Sequence, residues 1–314
     1  MIEFKAFAVQ YLYGKRLFGA FDFTLQDGEI LAIVGDSGSG KTSFVKGMSG
    51  VLAREGEVLK DKKPFVPKCD DTVFLFDDGA LFKFRSVEYN IGYPLRIRKV
   101  AKSEIKRKVE EVADKFGIYD ILHKKISQVT PKEKRLVSIA RLYIRDAKYI
   151  IIDNFSNWTG NESERKDLWN LFRKTLQELK RKHKSIIYTT THPDELMGIA
   201  DKIIVLHDGE IKQVGQFREI LASPTSIWAA QAIDPFYKFI KVRLEEKEDK
   251  LVITSELLSV GSIDAESVRD KIISPDYINN DVYIGYSGKI EQIHTLDGVT
   301  IYDATNENSI LGKE

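Results

Sequence analysis

The feature that most constrains this chain is a glycine-rich segment at residues 35–43, which reads Gly-Asp-Ser-Gly-Ser-Gly-Lys-Thr-Ser. It fits the pattern G-x-x-x-x-G-K-[ST]. An apolar run, Ile30 to Val34, precedes it, and a helix-compatible stretch begins at Ser43. A strand, a glycine turn and a helix start in this order predict a loop whose backbone N–H groups surround a phosphate. The alternative, a chance glycine turn before a helix, is disfavoured because both flanks agree.

Each residue type in this loop has an expected task. The glycines let the backbone bend around an anion, and the start of the helix adds its positive dipole end. Lys41 is expected to reach the β- and γ-phosphates of a nucleotide, and Thr42 to ligate Mg²⁺. The predicted phosphate-binding residues are Gly35, Asp36, Ser37, Gly38, Ser39, Gly40, Lys41, Thr42 and Ser43.

Composition narrows the class of protein. The 314 residues, 43% hydrophobic and 30% charged, suffice for one large α/β domain and a smaller one. A net charge of +1 gives no reason to expect a nucleic-acid partner. The single cysteine, Cys69, excludes an internal disulfide and fits a reducing compartment. No apolar run approaches the length of a membrane span, so we expect the chain not to cross a bilayer.

The order of predicted elements indicates the fold. Strand-like apolar runs alternate with helical patterns up to about residue 222, which predicts a mostly parallel sheet flanked by helices. Among these elements we predict a strand over Phe18 to Leu25, a helix from about Lys102 to Phe116 and a hairpin with its tight turn at Asp208-Gly209. Beyond about residue 235, short strand candidates separated by turns predict a small all-β region. We therefore predict an α/β nucleotide-binding domain at residues 1–234, with a helical subdomain at about 85–145, and a small β-rich domain at 235–314.

Further motifs follow the phosphate loop in a fixed order. They are Ala80 to Phe82 followed by Asn90-Ile91, Val137 to Arg141, the strand ending at Asp153, Thr191 to Glu195, Ala200 to Ile203, Asp208 to Ile211 and Val214-Gly215. Over about residues 2–222 this order resembles the ATP-binding subunit of an ABC transporter, a P-loop NTPase. The run Asp281 to Gly285 and the turn Asp297-Gly298 are similar to the β-rich C-terminal region of sugar- or anion-importer ATPases.

The resemblance implies ATP and Mg²⁺ as cofactors and assigns further residues to them. Asp153 would hold Mg²⁺ through water, and His192 matches the family's switch histidine, which contacts the γ-phosphate. An aromatic residue upstream of the loop stacks on adenine in the family. Tyr13 is the best match and Tyr11 the second choice, although Tyr13 fits a sheet aromatic equally well.

Two positions depart from the family's catalytic pattern. Asn154 stands where the family has a glutamate that polarises the attacking water. An amide cannot accept a proton, and losing a general base lowers a rate by about 10²- to 10⁴-fold. Asp77 replaces the loop glutamine that senses Mg²⁺ and the transmembrane partner, and its carboxylate can itself ligate Mg²⁺.

The family's signature peptide, Leu-Ser-Gly-Gly-Gln, is also altered. It aligns with Val129 to Glu133, so that Thr130, Pro131, Lys132 and Glu133 are the signature-like residues. Pro131 lacks a backbone donor, and Glu133 would repel phosphate. The same residues also form a good helix start, with Thr130 as N-cap, Pro131 in the first helical position and Glu133 closing a capping box. We expect the helix to be kept while its phosphate-reading chemistry is weakened.

By resemblance, nucleotide sites in this family are composite, with one subunit supplying the loop and its partner the signature helix. We therefore expect an importer subunit at the cytoplasmic face of the membrane, bound to permease subunits and paired with a second, intact ABC ATPase. The alternative is a non-catalytic, nucleotide-gated scaffold or regulatory module. A soluble ABC-type ATPase acting on DNA or ribosomes fits less well. Four aromatic residues would contact the permease or belong equally well to the helical core: Phe82, Phe84, Tyr89 and Tyr93.

Overall fold

The computed structural model describes residues 1–10, 20–65, 71–76, 79–155, 162–233, 238–247, 250–254, 262–263, 281–286, 290–294 and 300–303. Predictions for Tyr11, Tyr13, Cys69 and Asp77 lie outside these residues. The first ten strands are β1 (Ile2–Val9), β2 (Phe21–Leu25), β3 (Ile30–Val34), β4 (Arg54–Lys60), β5 (Lys63–Pro64), β6 (Thr72–Leu75), β7 (Tyr149–Ile152), β8 (Ser185–Thr190), β9 (Lys202–His207) and β10 (Glu210–Gly215). The helices are α1 (Lys41–Met48), α2 (Val87–Ile97), α3 (Lys102–Lys115), α4 (Pro131–Tyr143), α5 (Glu162–Arg181), α6 (Phe217–Ala222) and α7 (Ile227–Ile233).

A six-stranded sheet carries the phosphate loop. Its strand order is β10-β9-β3-β8-β7-β6, and every neighbouring pair is parallel except β10 with β9. The predicted mostly parallel sheet and the hairpin at Asp208-Gly209 are therefore confirmed. Val34 pairs with Thr190 and Val205, so the carboxyl ends of β3, β8 and β9 lie at one edge. That edge is where open α/β sheets bind ligands.

A second, antiparallel sheet has the order β2-β1-β4-β5. Aromatic rings from this sheet and from α1 form one cluster, in which Phe4, Phe7 and Phe44 have ring centroids 5.3–5.6 Å apart. Burial of these rings fixes α1 against the sheet. The strand predicted over Phe18 to Leu25 begins at Phe21 within the described residues.

Among the described residues, the three α-helices α2, α3 and α4 lie between β6 and β7 in the chain, in the range predicted for the helical subdomain. The periodicity predicted α3 from about Lys102 to Phe116, and the helix spans Lys102–Lys115. Its apolar face, including Ile105 and Val109, is fully buried in the main core. A buried amide, Asn90, accepts from Phe82 N and donates to Phe82 O and Ser86 O, which fixes the segment that leads into α2.

The C-terminal strands form a third sheet, all antiparallel, with the order β13-β12-β11-β14-β15-β16. The expected small all-β region is thus present, while its boundary at residue 235 stays a prediction. Its strands are β11 (Lys238–Lys247), β12 (Lys250–Thr254), β13 (Ser262–Ile263), β14 (Asp281–Tyr286), β15 (Ile290–His294) and β16 (Thr300–Asp303). Within the described parts of the chain, no helix combines the length and the hydropathy that crossing a bilayer requires.

Candidate nucleotide-binding site

The glycine loop runs from the end of β3 into α1. Gly40 is the N-cap of α1 with φ of 108°, a left-handed conformation that glycine adopts without strain. Gly35 is needed for a different reason: a Cβ there would lie 1.9 Å from Leu206 O of β9. The close approach of these two backbones sets the start of the loop against the sheet edge.

Lys41 is the first residue of α1, and its side chain folds back into the glycine loop. Its Nζ donates to Gly35 O and Asp36 O, each over 2.7 Å, and to Ser39 Oγ over 3.3 Å, and the residue is 6% exposed. Burial lowers the pKa of Lys41 to about 8, against an opposing effect of Asp36 and Asp153. The loop carbonyls thus hold the ammonium group at the bend of the loop. An anion bound there could replace these carbonyls as its hydrogen-bond acceptor.

Asp153 faces the start of α1. This residue follows β7, is 2% exposed, and its Oδ1 accepts from Thr42 Oγ1 over 3.1 Å and from Thr189 Oγ1 over 2.9 Å. A buried carboxylate with two hydroxyl donors is held in one orientation. The structure therefore brings Asp153 to Lys41 and Thr42, although Asp153 follows Thr42 by 111 positions in the chain.

This donor set fits Mg²⁺. A hydroxyl and a carboxylate are hard oxygen ligands, and Mg²⁺ in nucleotide sites takes only one or two protein oxygens besides phosphate and water. Across the described residues there is no group of three or more His, Cys, Asp or Glu side chains that could hold a metal. Thr42 and Asp153 would thus share a Mg²⁺ ion with the nucleotide, and the ion would neutralise phosphate charge.

Asn154 directly follows Asp153. Its N–H donates to Thr189 Oγ1 over 2.8 Å, and its φ of 48° lies in the left-handed region that asparagine tolerates better than most residues. Its side-chain Oδ1 is buried and has no hydrogen-bond partner among the described residues. A buried, unpaired amide oxygen beside a phosphate loop is an acceptor for water or ligand.

The start of α4 is capped by its own residues. Thr130 Oγ1 accepts from Glu133 N over 3.2 Å, and Glu133 Oε2 accepts from Thr130 N over 2.6 Å. Pro131 occupies the first helical position. The predicted capping box is confirmed. It uses two N–H groups at this helix end, and Pro131 has none to offer.

Comparisons with known proteins agree with this geometry. Residues 18–157 match the family described as ABC transporter. The oligosaccharides import ATP-binding protein MsmX of Bacillus subtilis is 28% identical over the whole chain and 84% of its own length. The spermidine/putrescine import ATP-binding protein PotA of Photobacterium profundum is 28% identical over 92% of this chain and 80% of its own. This chain belongs to the ABC transporter ATPase family.

A solved structure supports the same fold. The protein cbiO1 from Clostridium perfringens, part of an ABC transporter complex, superimposes with a TM-score of 0.61 at 22% identity. The match covers 71% of this chain and 90% of that one. ABC ATPases bind ATP, normally with Mg²⁺, and the described loop and carboxylate of this ABC ATPase have the form that such binding requires.

His192 lies just beyond β8, at the same sheet edge as the loop. Its backbone N–H donates to Thr190 Oγ1 over 3.0 Å, and Thr190 Oγ1 donates to Glu195 Oε2 over 2.5 Å. Glu195 is 1% exposed, and its Oε1 lies 3.5 Å from Nη1 of Arg165 in α5. This buried pair anchors the turn that carries His192 in the ABC ATPase.

Two contacts to the loop were missed by sequence reasoning. Gly209 N donates to Ser39 O over 3.2 Å, and His207 Nδ1 lies 3.1 Å from Asp36 Oδ2. The Asp208-Gly209 turn was visible in the sequence as a hairpin turn. Its position against the loop depends on the pairing of β9 with β3, which no local pattern encodes.

The four aromatic residues Phe82, Phe84, Tyr89 and Tyr93 lie at the surface of the helical region and not in its core. Phe82 and Phe84 are exposed, Tyr89 and Tyr93 are half-buried, and none belongs to the main core. Phe82 and Tyr93, with ring centroids 4.5 Å apart, line a cavity of about 240 Å³ that also includes Ile97, Arg141 and Arg145. The ABC ATPase therefore presents an aromatic and basic groove at its surface.

Proposed function

We propose that this chain is the ATP-binding subunit of an ABC importer. It binds Mg-ATP at residues 35–43 with Asp153 and works at the cytoplasmic face of the membrane. The placement of Lys41 and Thr42 beside Asp153 carries the proposal, because these three groups offer an ammonium, a hydroxyl and a carboxylate to one triphosphate-metal pair. The relatives named for import of oligosaccharides and of spermidine/putrescine support the direction of transport. Their different cargoes leave the transported molecule unassigned.

We propose further that this subunit hydrolyses ATP slowly on its own. Asn154 occupies the position that follows the metal-binding Asp153, and its amide can orient a water but cannot take its proton. His192 is proposed to contact the γ-phosphate, and Tyr13 or Tyr11 to stack on adenine. Asp77 would add a carboxylate near the metal.

The self-capped start of α4 extends this proposal to the partner. A signature helix must present N–H groups to the phosphate of the facing subunit, whereas Glu133 places a carboxylate at that helix end. A homodimer would combine Asn154 with this helix end at both sites. We therefore propose pairing with a second ABC ATPase that supplies a glutamate to one site and a complete signature to the other.

The groove lined by Phe82, Tyr93 and Ile97 is proposed to receive the permease. Ile97 is 63% exposed, and Arg141 and Arg145 lie in the same lining. An apolar surface of this kind on a water-facing subunit favours a protein contact. The alternative role, a nucleotide-gated scaffold without turnover, is favoured by the same two features, Asn154 and the capped α4.

A binding and turnover assay tests the proposal. The purified chain should bind Mg-ATP, and Lys41→Ala should weaken binding by about 10- to 100-fold because a charge-assisted contact is lost. Lys46→Ala, on the same helix but outside the loop, is the matched control and should bind as the wild type does. Vigorous ATP turnover by the chain alone would exclude the impaired, partner-dependent role. Equal binding by wild type and Lys41→Ala would exclude the site.

A further inference from the structure

A stacked pair of rings lies behind the phosphate loop. His207, the last residue of β9, stacks on Trp228 of α7 with ring centroids 3.8 Å apart and an interplanar angle of 7°. The same imidazole places Nδ1 3.1 Å from Asp36 Oδ2. One ring thus contacts α7 through its face and the loop through its edge.

Asp36 carries this contact on to the phosphate-binding lysine. Its backbone oxygen accepts from Lys41 Nζ over 2.7 Å, and it also accepts from Ser39 N over 3.1 Å. The Asp36 side chain is 77% exposed, and within the described part of the chain His207 Nδ1 lies within hydrogen-bonding distance of its carboxylate. A continuous set of contacts therefore leads from Trp228 through His207 and Asp36 to Lys41.

The surroundings leave room for this set of contacts to shift. A cavity of about 270 Å³ lies between the loop and α7, and Asp36, His207, Trp228 and Gln231 contribute to its lining. α7 itself is fixed at its start, where Ser226 Oγ accepts from Ala229 N over 3.2 Å. It is the last described helix before β11, which begins five positions after Ile233.

We propose that Trp228 and His207 are positioning residues that hold Asp36, and with it the phosphate loop, in the conformation that binds nucleotide. The proposal rests on the proposed function, since it concerns the affinity of the same loop. It adds that α7 is energetically coupled to nucleotide binding. A change at α7 alters ATP affinity without touching ATP, and ATP binding alters the environment of Trp228 by the same linkage.

A double-mutant cycle tests the contact between the loop and β9. His207→Ala and Asp36→Ala are each expected to weaken Mg-ATP binding by about 3- to 10-fold. The affinity of the double variant should equal that of the single variant with the lower affinity. His123→Ala, an exposed histidine of the helical region, is the matched control and should bind as the wild type does. Strictly additive effects, or unchanged affinity in both single variants, would overturn the proposal.

Conservative replacement tests the ring stack. Trp228→Phe keeps an aromatic face on His207 and should retain affinity within about twofold, whereas Trp228→Ala should lose about 3- to 10-fold. If Trp228 had a purely structural role, the variants would lower the stability of the chain, and Trp228→Phe would not restore nucleotide affinity relative to Trp228→Ala. Equal affinity of the Phe and Ala variants would contradict a positioning role.

Fluorescence of Trp228 provides a readout in a protein that keeps the native stack. The chain has three tryptophans, so Trp158→Phe with Trp169→Phe leaves Trp228 as the sole emitter. Titration with Mg-ATP should change its emission with the midpoint found by equilibrium dialysis, and the change should vanish with His207→Ala. Binding by dialysis with silent Trp228 emission would overturn this proposal alone. Absence of binding by dialysis in the wild type would overturn the proposed function as well.

Discussion

Thr42 donates its hydroxyl to Asp153 Oδ1 over 3.1 Å, although the two residues lie 111 positions apart in the chain. The contact exists because β3 and β7 flank β8 in one parallel sheet, so that their carboxyl ends share an edge. Thr189, at the end of that middle strand, holds the same carboxylate and also accepts from Asn154 N. Asn154 is thus fixed by the same network that orients the proposed metal ligand, Asp153.

Replacing Asn154 with glutamate should restore turnover in the assembled complex by about 10²- to 10⁴-fold, because a carboxylate can accept the proton of the attacking water. Asn154→Gln is the matched control, since glutamine has the length of glutamate and the same preference against positive φ but lacks the charge. The measurement is phosphate release at saturating Mg-ATP. Equal rates for the two variants would favour the scaffold role.

Nucleotide affinity should depend on pH through Lys41. Burial lowers the pKa of Lys41 to about 8, so the ammonium form that attracts phosphate is lost above this pH. The association constant for Mg-ATP should therefore fall by about tenfold per pH unit above 8. Lys41→Arg remains charged throughout and should show a flat profile at lower affinity. A flat wild-type profile from pH 7 to 9.5 would contradict the lowered pKa of Lys41.

The lowered pKa of Lys41 affects the stability of the nucleotide-free chain in the opposite direction: stability rises with pH where nucleotide affinity falls. The pKa of Lys41 in the folded chain lies below its ordinary value of 10.5, so the unfolded chain binds the additional proton between these two values. The contribution of Lys41 to the free energy of unfolding should rise as pH increases from about 8 towards 10.5. Urea unfolding of wild type and Lys41→Met over this range measures the difference.

Loss of the cap at α4 should lower stability without altering nucleotide binding by the isolated chain. Thr130→Ala removes the acceptor for Glu133 N and should reduce the free energy of unfolding by about 1 kcal/mol. Ser127→Ala removes a nearby exposed hydroxyl that makes no hydrogen bond among the described residues. This control should change the free energy of unfolding by less than about 0.5 kcal/mol. Similar urea midpoints for the two variants would show that the capping box contributes little.

Ile97→Ser should weaken association with the permease by about tenfold, because an apolar side chain in the groove can then no longer be buried. Ile97 is 63% exposed, so folding should be unaffected. Val51→Ser is the control, as Val51 is 65% exposed and lies outside the groove lining. The measurement is co-purification with the permease from detergent extracts. Equal recovery of both variants would place the docking surface elsewhere.

Local features of the site could be predicted from the sequence. The loop at residues 35–43, the carboxylate after β7 and the capping box of Thr130 and Glu133 each depend on a short segment of the chain whose residue types are visible in the sequence. The alternation of strands and helices also predicted the parallel sheet. These features depend on neighbours along the chain, which a sequence displays directly.

Contacts between distant segments could not be predicted. The approach of Gly209 to Ser39 and of His207 to Asp36 follows from the register of β9 against β3. Asn154 combines a positive φ with a hydrogen bond to Thr189, a residue 35 positions away. The separate antiparallel sheet built on β1 was likewise not predicted. Whether Phe82 and Tyr93 are core or surface residues depended on how α2 packs, which the periodicity alone left open.

The most direct test of an ATP-binding, slowly hydrolysing subunit follows the fate of bound nucleotide. The purified chain in excess is mixed with radiolabelled Mg-ATP, and protein-bound ATP and ADP are quantified over time. We expect most of the label to be retained by the protein as intact ATP over many minutes, with clearly lower retention in Lys41→Ala, whose binding is weaker. Rapid conversion of bound ATP to ADP by the wild-type chain alone, or no retention at all, would contradict this conclusion.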